Sequence, residues 1–223
     1  MQLDFWHDSS AQNMALETIS KMRLKRYLRV TKNNNQDAIK LYFWNTELSQ
    51  SLYLSLQCWE IALRNKINNY LCTKFQRNWP YDRKLYNILD NWERKKLEET
   101  KDRQKHKRRD TLQTDHIVAD LSLGFWIALL GKKYTQPFGW HTNMHVHLFT
   151  YGENLSPNFI RQKSAQLLIL RNRVAHHEPI FHLNLPPQRA ALGALMKSLC
   201  PITHGYVEKA CSFDGVWHNR PFP

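Results

Sequence analysis

The stretch LRNRVAHHEPIF, residues 170–181, gathers groups able to do acid–base chemistry on a phosphodiester. A histidine, with an ordinary pKa near 6.5, can give or take a proton at neutral pH. An arginine stays charged and can clamp a phosphate through two N–H groups, most strongly as charge builds on its oxygens. An asparagine can orient either partner. With the RNA 2′-OH as nucleophile no metal is required, and none is implied here. Asn172 and His176 are four residues apart and share a helix face. Arg171 and His176 are five apart, which puts them about 140° apart around an ideal helix. They need a cleft, or a second copy of the helix, to act on one bond. Spacing alone leaves a second reading open, in which this is the polar end of a helix, its histidine satisfied by the last carbonyls and its arginine in an ion pair.

Periodicity supplies the elements that must carry these residues. SPNFIRQKSAQLLILRNRVAHHEP opens with a helix start signal, Ser156 at the N-cap and Pro157 at the first helical position. Pro179 is expected to close that helix, because the residue before a proline avoids the α region. A long helix is expected from about Asp37 to Leu71, free of Gly and Pro. Its apolar stripe is Leu41, Trp44, Leu48, Leu52, Trp59, Leu63 and Ile67. Helical spacing also runs over 10–30, 82–107 and 113–130, and one or two shorter helices fit 186–211. Gly124 falls within the apolar segment DLSLGFWIALLG, where close packing is expected. Residues 131–155 read as irregular. Seven glycines disfavour a turn-rich β protein, so the expectation is an all-α, single-domain bundle of six or seven helices spanning 1–223.

Composition narrows the partners. The apolar share is 42 %, enough to exclude a disordered chain. The net charge of +13 favours polyanions through counterion release. KDRQKHKRRD, residues 101–110, concentrates it. Arg103, Lys105, Lys107, Arg108 and Arg109 are candidate RNA-binding residues, or else a solvated helix end whose cations suit the macrodipole. No apolar run is long enough to span a bilayer. The start, MQLDFWHDSS, has no basic stretch followed by an apolar one, and Cys58, Cys72, Cys200 and Cys211 form no CxxC pair. A cytoplasmic protein with reduced thiols is expected. His141, His145 and His147 in WHTNMHVH could in principle hold zinc, but the flanking Gly139 and the lack of a carboxylate point to a loop touching RNA.

The chain resembles the Abi-like (abortive infection) family of the HEPN superfamily of all-α proteins. The resemblance covers about 15–215 and lies in the order and spacing of RLKRYL (23–28), AIKLYFWNTELSQSLYLSLQCWEIALRNKI (38–67), LSLGFWIALL (121–130) and LRNRVAHHEPIF (170–181). It implies a HEPN-like helical bundle in a bacterial phage-defence or toxin-like system. It implies metal-independent, cofactor-free RNA endonuclease activity through an R-x4-H motif, across a homodimer that juxtaposes two motifs. Arg171, Asn172 and His176 match the motif. His177 is a neighbour that an R-x5-H reading would use, and it points about 100° away from His176. Glu178 is a candidate for holding the Arg171 guanidinium, or for a surface ion pair. Glu60, Arg64 and Asn65 in WEIALRNKI are candidate supporting residues; Glu60 and Arg64 also suit a plain i,i+4 ion pair. Some members associate with a small structured non-coding RNA, so a non-catalytic RNA-binding module is the alternative reading. HEPN toxins regulated at a tyrosine carry R-x4-6-H-x-Y. Here Glu178 and Pro179 stand two residues after His176 and His177, which departs from that mode.

Overall fold

A computed structural model describes residues 8–152 and 155–221. Among them the chain is all-helical, without strands. It carries thirteen α-helices: α1 (Ser9–Ile19), α2 (Lys21–Val30), α3 (Asn35–Phe75), α4 (Arg83–Ile88), α5 (Asn91–Arg108), α6 (Thr114–Asp120), α7 (Leu123–Ala128), α8 (Thr135–Phe138), α9 (Trp140–Asn143), α10 (Pro157–Ala175), α11 (Leu185–Leu199), α12 (Pro201–Ala210) and α13 (Phe213–His218). The expected count of six or seven is corrected upward because three expected helices are each two. Side-chain caps mark two of the three breaks, at Ser20 and Ser122, where no Gly or Pro stands. Ser20 takes φ +76°, ends α1 through its N–H to Leu16 O (3.1 Å), and caps α2 by accepting from Arg23 N (3.3 Å). Asp90 precedes α5, and Ser122 accepts from Phe125 N to start α7. The described residues of 131–152 are largely helical as well: α8, α9 and a π-helical turn at Met144–Leu148 replace the expected irregular segment.

The chain divides into two compact units, one of 1–54, 170–184 and 210–223 and one of 55–169 and 185–209. Both α3 and α10 run through the two.

In the first unit, the α3 positions Leu41, Trp44, Leu48 and Leu52 are buried with Leu24 and Tyr27 of α2. Trp44 donates its indole N–H to Val216 O (2.9 Å) and packs on Trp217, which stacks on Phe213. That fastens α13 to α3. Asn45, also buried, accepts from the backbone N–H groups of Ile180 (2.7 Å) and Phe181 (3.0 Å). A buried asparagine is stable there because it satisfies two donors that no helix or sheet can reach.

In the second unit, Trp59, Leu63 and Ile67 continue the stripe at 0 % exposure, so the periodic reading of α3 holds along its length. Three buried indoles are held by their polar edge: Trp79 donates to Asn68 Oδ1 (2.8 Å), Trp126 to Leu121 O (3.2 Å) and Trp140 to Leu129 O (2.7 Å), while the buried indole N–H of Trp59 meets no acceptor among the described residues. The segment 121–130 is mostly buried, as expected. Gly124, however, lies at the start of α7. A Cβ there would sit 3.7–4.0 Å from Ser122, Trp92 and Leu168, ordinary contact and not the close approach anticipated. Among the described residues no helix is long and apolar enough to cross a membrane.

Candidate functional site

The first turn of α10 forms as its residues dictate: Ser156 Oγ accepts from Phe159 N (3.1 Å) and Pro157 takes the first helical position. Farther along, Arg161 donates to Leu130 O (2.8 Å) and Thr135 Oγ1 (2.9 Å), anchoring this half of the helix in the second unit. The C-terminal half, in the first unit, carries the candidate residues.

That end does not wait for Pro179. The helix stops at Ala175, and His177 takes φ +56°. His177 N–H bonds to Val174 O (3.2 Å) and Glu178 N–H to Arg173 O (2.8 Å). These two bonds are the Schellman pair, with His177 in the left-handed position usually held by Gly or Asn. The hydrophobic contact that often accompanies this turn is replaced by charge: Arg173 and Glu178 approach to 3.7 Å, and Arg173 also donates to Pro179 O (3.3 Å). Glu178 therefore approaches Arg173, the surface ion pair that was one of its two expected roles.

The consequence is that Asn172, His176 and His177 are exposed, while Arg171 and Arg173 are half-buried along their stems. His176 N–H still bonds to Asn172 O (2.9 Å), so the helical offset between Arg171 and His176 persists to the end of the motif. Arg171 lies within 3.4 Å of Asn172 Oδ1, a long contact that brings the guanidinium and the amide together. Arg23 of α2 donates to His177 O (2.9 Å), adding a third arginine at the helix end. Just beyond, Phe181 packs on Tyr27, and Tyr27 on Tyr42. Tyr27 is a core residue, and burial pushes its hydroxyl well above its usual range. Burial also lowers His182, with Arg26 and Arg173 adding to the effect, so its ring is kept neutral by desolvation and by two nearby cations. The site is thus a cationic rim around an exposed histidine pair.

Arg23, Arg26, Arg173 and Asn45 are the members that spacing missed. RLKRYL is visible as a basic helix, but its placement beside the end of α10 is tertiary.

Glu60, Arg64 and Asn65 belong to the α3 stretch of the second unit, where Arg64 Nε and Asn65 Oδ1 are 3.4 Å apart. In the same unit the basic run forms the last turns of α5. Arg103 is committed there: it donates to Asp120 Oδ2 (2.8 Å) and Thr100 Oγ1 (3.1 Å), and Gln104 donates to the same carboxylate oxygen (2.8 Å). Burial opposes ionisation of Asp120, but the hydrogen bonds from Gln104 and Arg103 outweigh it and hold the carboxyl below its usual range. Lys105, Lys107, Arg108 and Arg109 are exposed at the end of the helix, with their charged heads open to solvent. His141 lies on α9, and His145 and His147 on the π-helical turn, not on a loop; the His147 ring rests 5.2 Å from that of Tyr70. Among the described residues no three His, Cys, Asp or Glu side chains gather as a metal would need.

No family model, curated protein or solved structure matches this chain.

Proposed function

We propose that the chain is a metal-independent RNA endonuclease of the HEPN kind that its sequence resembles, acting as a homodimer in a bacterial defence or toxin-like system. The observation that carries the reading is the end of α10: an exposed His176 beside Asn172, with Arg171, Arg173 and Arg23 at the same helix terminus. In this reaction the ribose 2′-oxygen bonds to the adjacent phosphorus and the bond from phosphorus to the 5′-oxygen breaks. The products are a 2′,3′-cyclic phosphate and a free 5′-hydroxyl. His176 takes the 2′-OH proton or delivers one to the leaving oxygen, Arg171 stabilises the charge on the phosphoryl oxygens, and Asn172 orients the pair. Because Arg171 and His176 point about 140° apart on one helix, two copies facing each other supply a base and an acid to one bond. Exposure of the histidine supports that arrangement.

The net charge of +13 and the open cations of α5 supply a phosphate-binding surface for the rest of the RNA. The same surface supports the alternative, a non-catalytic module that holds a structured small RNA. Cleavage of labelled RNA by purified wild type, in chelator, separates the two. The proposal expects cleavage that His176→Ala and Arg171→Ala abolish with folding intact. Tight binding of RNA that stays uncut in wild type would favour the alternative.

A further inference from the structure

A second nucleic-acid contact is built into the 55–169 unit, far in sequence from the end of α10. A cavity of about 690 Å³ opens between the segment that follows α3 and the segment that leads into α6. Its size falls in the range that takes small organic groups. Its lining includes Gln76, Asn78, Tyr81, Leu112, Gln113 and Thr114.

Both walls are fixed. Gln76 ends α3 in the left-handed region at φ +69°, turning the chain. Trp79, fully buried and hydrogen-bonded to Asn68, pins the 3-10 turn Trp79–Tyr81 behind it. Thr114 donates across to Asn78 Oδ1 (2.8 Å), tying one wall to the other. A tyrosine, three side-chain amides and a leucine therefore face one preformed space. Gln76 and Asn78 are exposed, and the side-chain amide N–H groups of Asn78 and the amide of Gln76 are open to a ligand, with no hydrogen-bond partner among the described residues. Such groups have both donors and acceptors, which is what the edge of a nucleobase offers in return.

The aromatic member has a cation beside it. Tyr81 is 52 % exposed, and Lys101 Nζ, itself paired with Glu98 Oε1 at 2.9 Å, stands 4.7 Å from its ring centroid. Lys101 belongs to α5, the helix that ends in Lys105, Lys107, Arg108 and Arg109. Arg109 is three residues from Leu112 in the cavity wall, so chain length keeps their backbones within about 11 Å. The rim also holds one carboxylate, Asp115, which faces Arg77 at 3.6 Å. A stacking ring, open amides and the exposed cations at the end of α5 make the combination by which proteins hold single strands.

The geometry points to this cavity as a binding site for an unpaired RNA base, stacked on Tyr81 and hydrogen-bonded by Asn78 and Gln76, with the flanking phosphates on the end of α5. The inference shares with the proposed function only the identity of the polymer. Its test reads binding alone, so its failure leaves cleavage at His176 untouched, and an inactive His176 leaves it untouched.

The test uses the full chain carrying His176→Ala, so that RNA stays intact, and fluorescence anisotropy with a labelled 12-nucleotide single strand and a duplex of the same length. Tyr81→Ala is expected to weaken single-strand binding by about 5- to 150-fold, the effect typical of one stacked base, and to leave duplex binding within twofold. Tyr81→Phe keeps the ring and is expected to bind like the parent. Equal affinity of Tyr81→Ala and parent for the single strand would overturn the site. So would an equal weakening on single strand and duplex by a variant whose melting temperature is unchanged.

Discussion

Asn45→Ala removes one oxygen that accepts two backbone N–H groups, those of Ile180 and Phe181. Ile180 is fully buried and Phe181 partly so. A buried donor left without a partner costs about 1–3 kcal/mol, so the full cost at Ile180 and a reduced one at Phe181 sum to about 2–4 kcal/mol. A water entering the vacated space would bring the loss toward the lower figure. The two amides lie four and five residues after His176, in the strap that follows the Schellman turn. Loosening it should free the histidine pair from its place beside Arg23 and Arg173. Hydrogen exchange over 176–184 reads this locally: opening 2–4 kcal/mol easier speeds exchange by about 30- to 1,000-fold, since about 1.4 kcal/mol is a factor of ten. Asn45→Asp retains an acceptor for both amides and should exchange more slowly than Asn45→Ala. Unchanged exchange in 176–184 and an unchanged unfolding midpoint in Asn45→Ala would refute the assignment of Asn45 as the fastener.

Three further outcomes follow from the geometry. Replacing Lys105, Lys107, Arg108 and Arg109 with Ala should reduce the salt dependence of single-strand RNA binding by about 0.7 in log–log slope for each phosphate no longer neutralised; Arg103→Ala, already committed to Asp120, should lower stability and barely move the slope, as salt titrations of both variants would show. Lys133 bonds Asp90 and the buried Glu93 (2.8 Å to the latter), so Lys133→Met should destabilise by about 1–3 kcal/mol in urea, less than for a fully enclosed pair because Lys133 is 43 % exposed; adding Glu93→Gln should recover part of the loss. His182 should titrate below 6.5 by NMR and move upward in Arg173→Ala. With its folded pKa lowered, the unfolded chain binds the proton first, so its contribution to stability is present above about pH 6.5 and is lost as pH falls through the window below that value; a pH-independent contribution would contradict this.

Periodic burial was legible in the residues. The stripe from Leu41 to Ile67 is buried at every position named, because a long helix with one apolar face leaves no choice of side. The start of α10 at Ser156-Pro157 was equally legible, since a cap and a fixed φ act within four residues. Breaks made by side-chain caps within apolar runs, at Ser20 and Ser122, were not: serine is tolerated inside helices and marks an end only when tertiary packing turns the chain there. The end of α10 shows the same limit. Pro179 was the visible stop, yet His177 adopts the left-handed turn two residues earlier, held by the Arg173–Glu178 pair and by Arg23 from α2. The candidate site was legible as residue types and as a helical offset. Its cationic rim was not, because Arg23 and Arg26 are about 150 residues away in the chain. The cavity beside Tyr81 joins segments more than thirty residues apart in the same way.

The most direct test of the central claim is sequencing of RNA ends, with 2′,3′-cyclic phosphates captured, after expression of wild type and of His176→Ala in bacteria. The account predicts a set of cyclic-phosphate ends present with wild type and missing with His176→Ala. The same ends at the same abundance in both would contradict it.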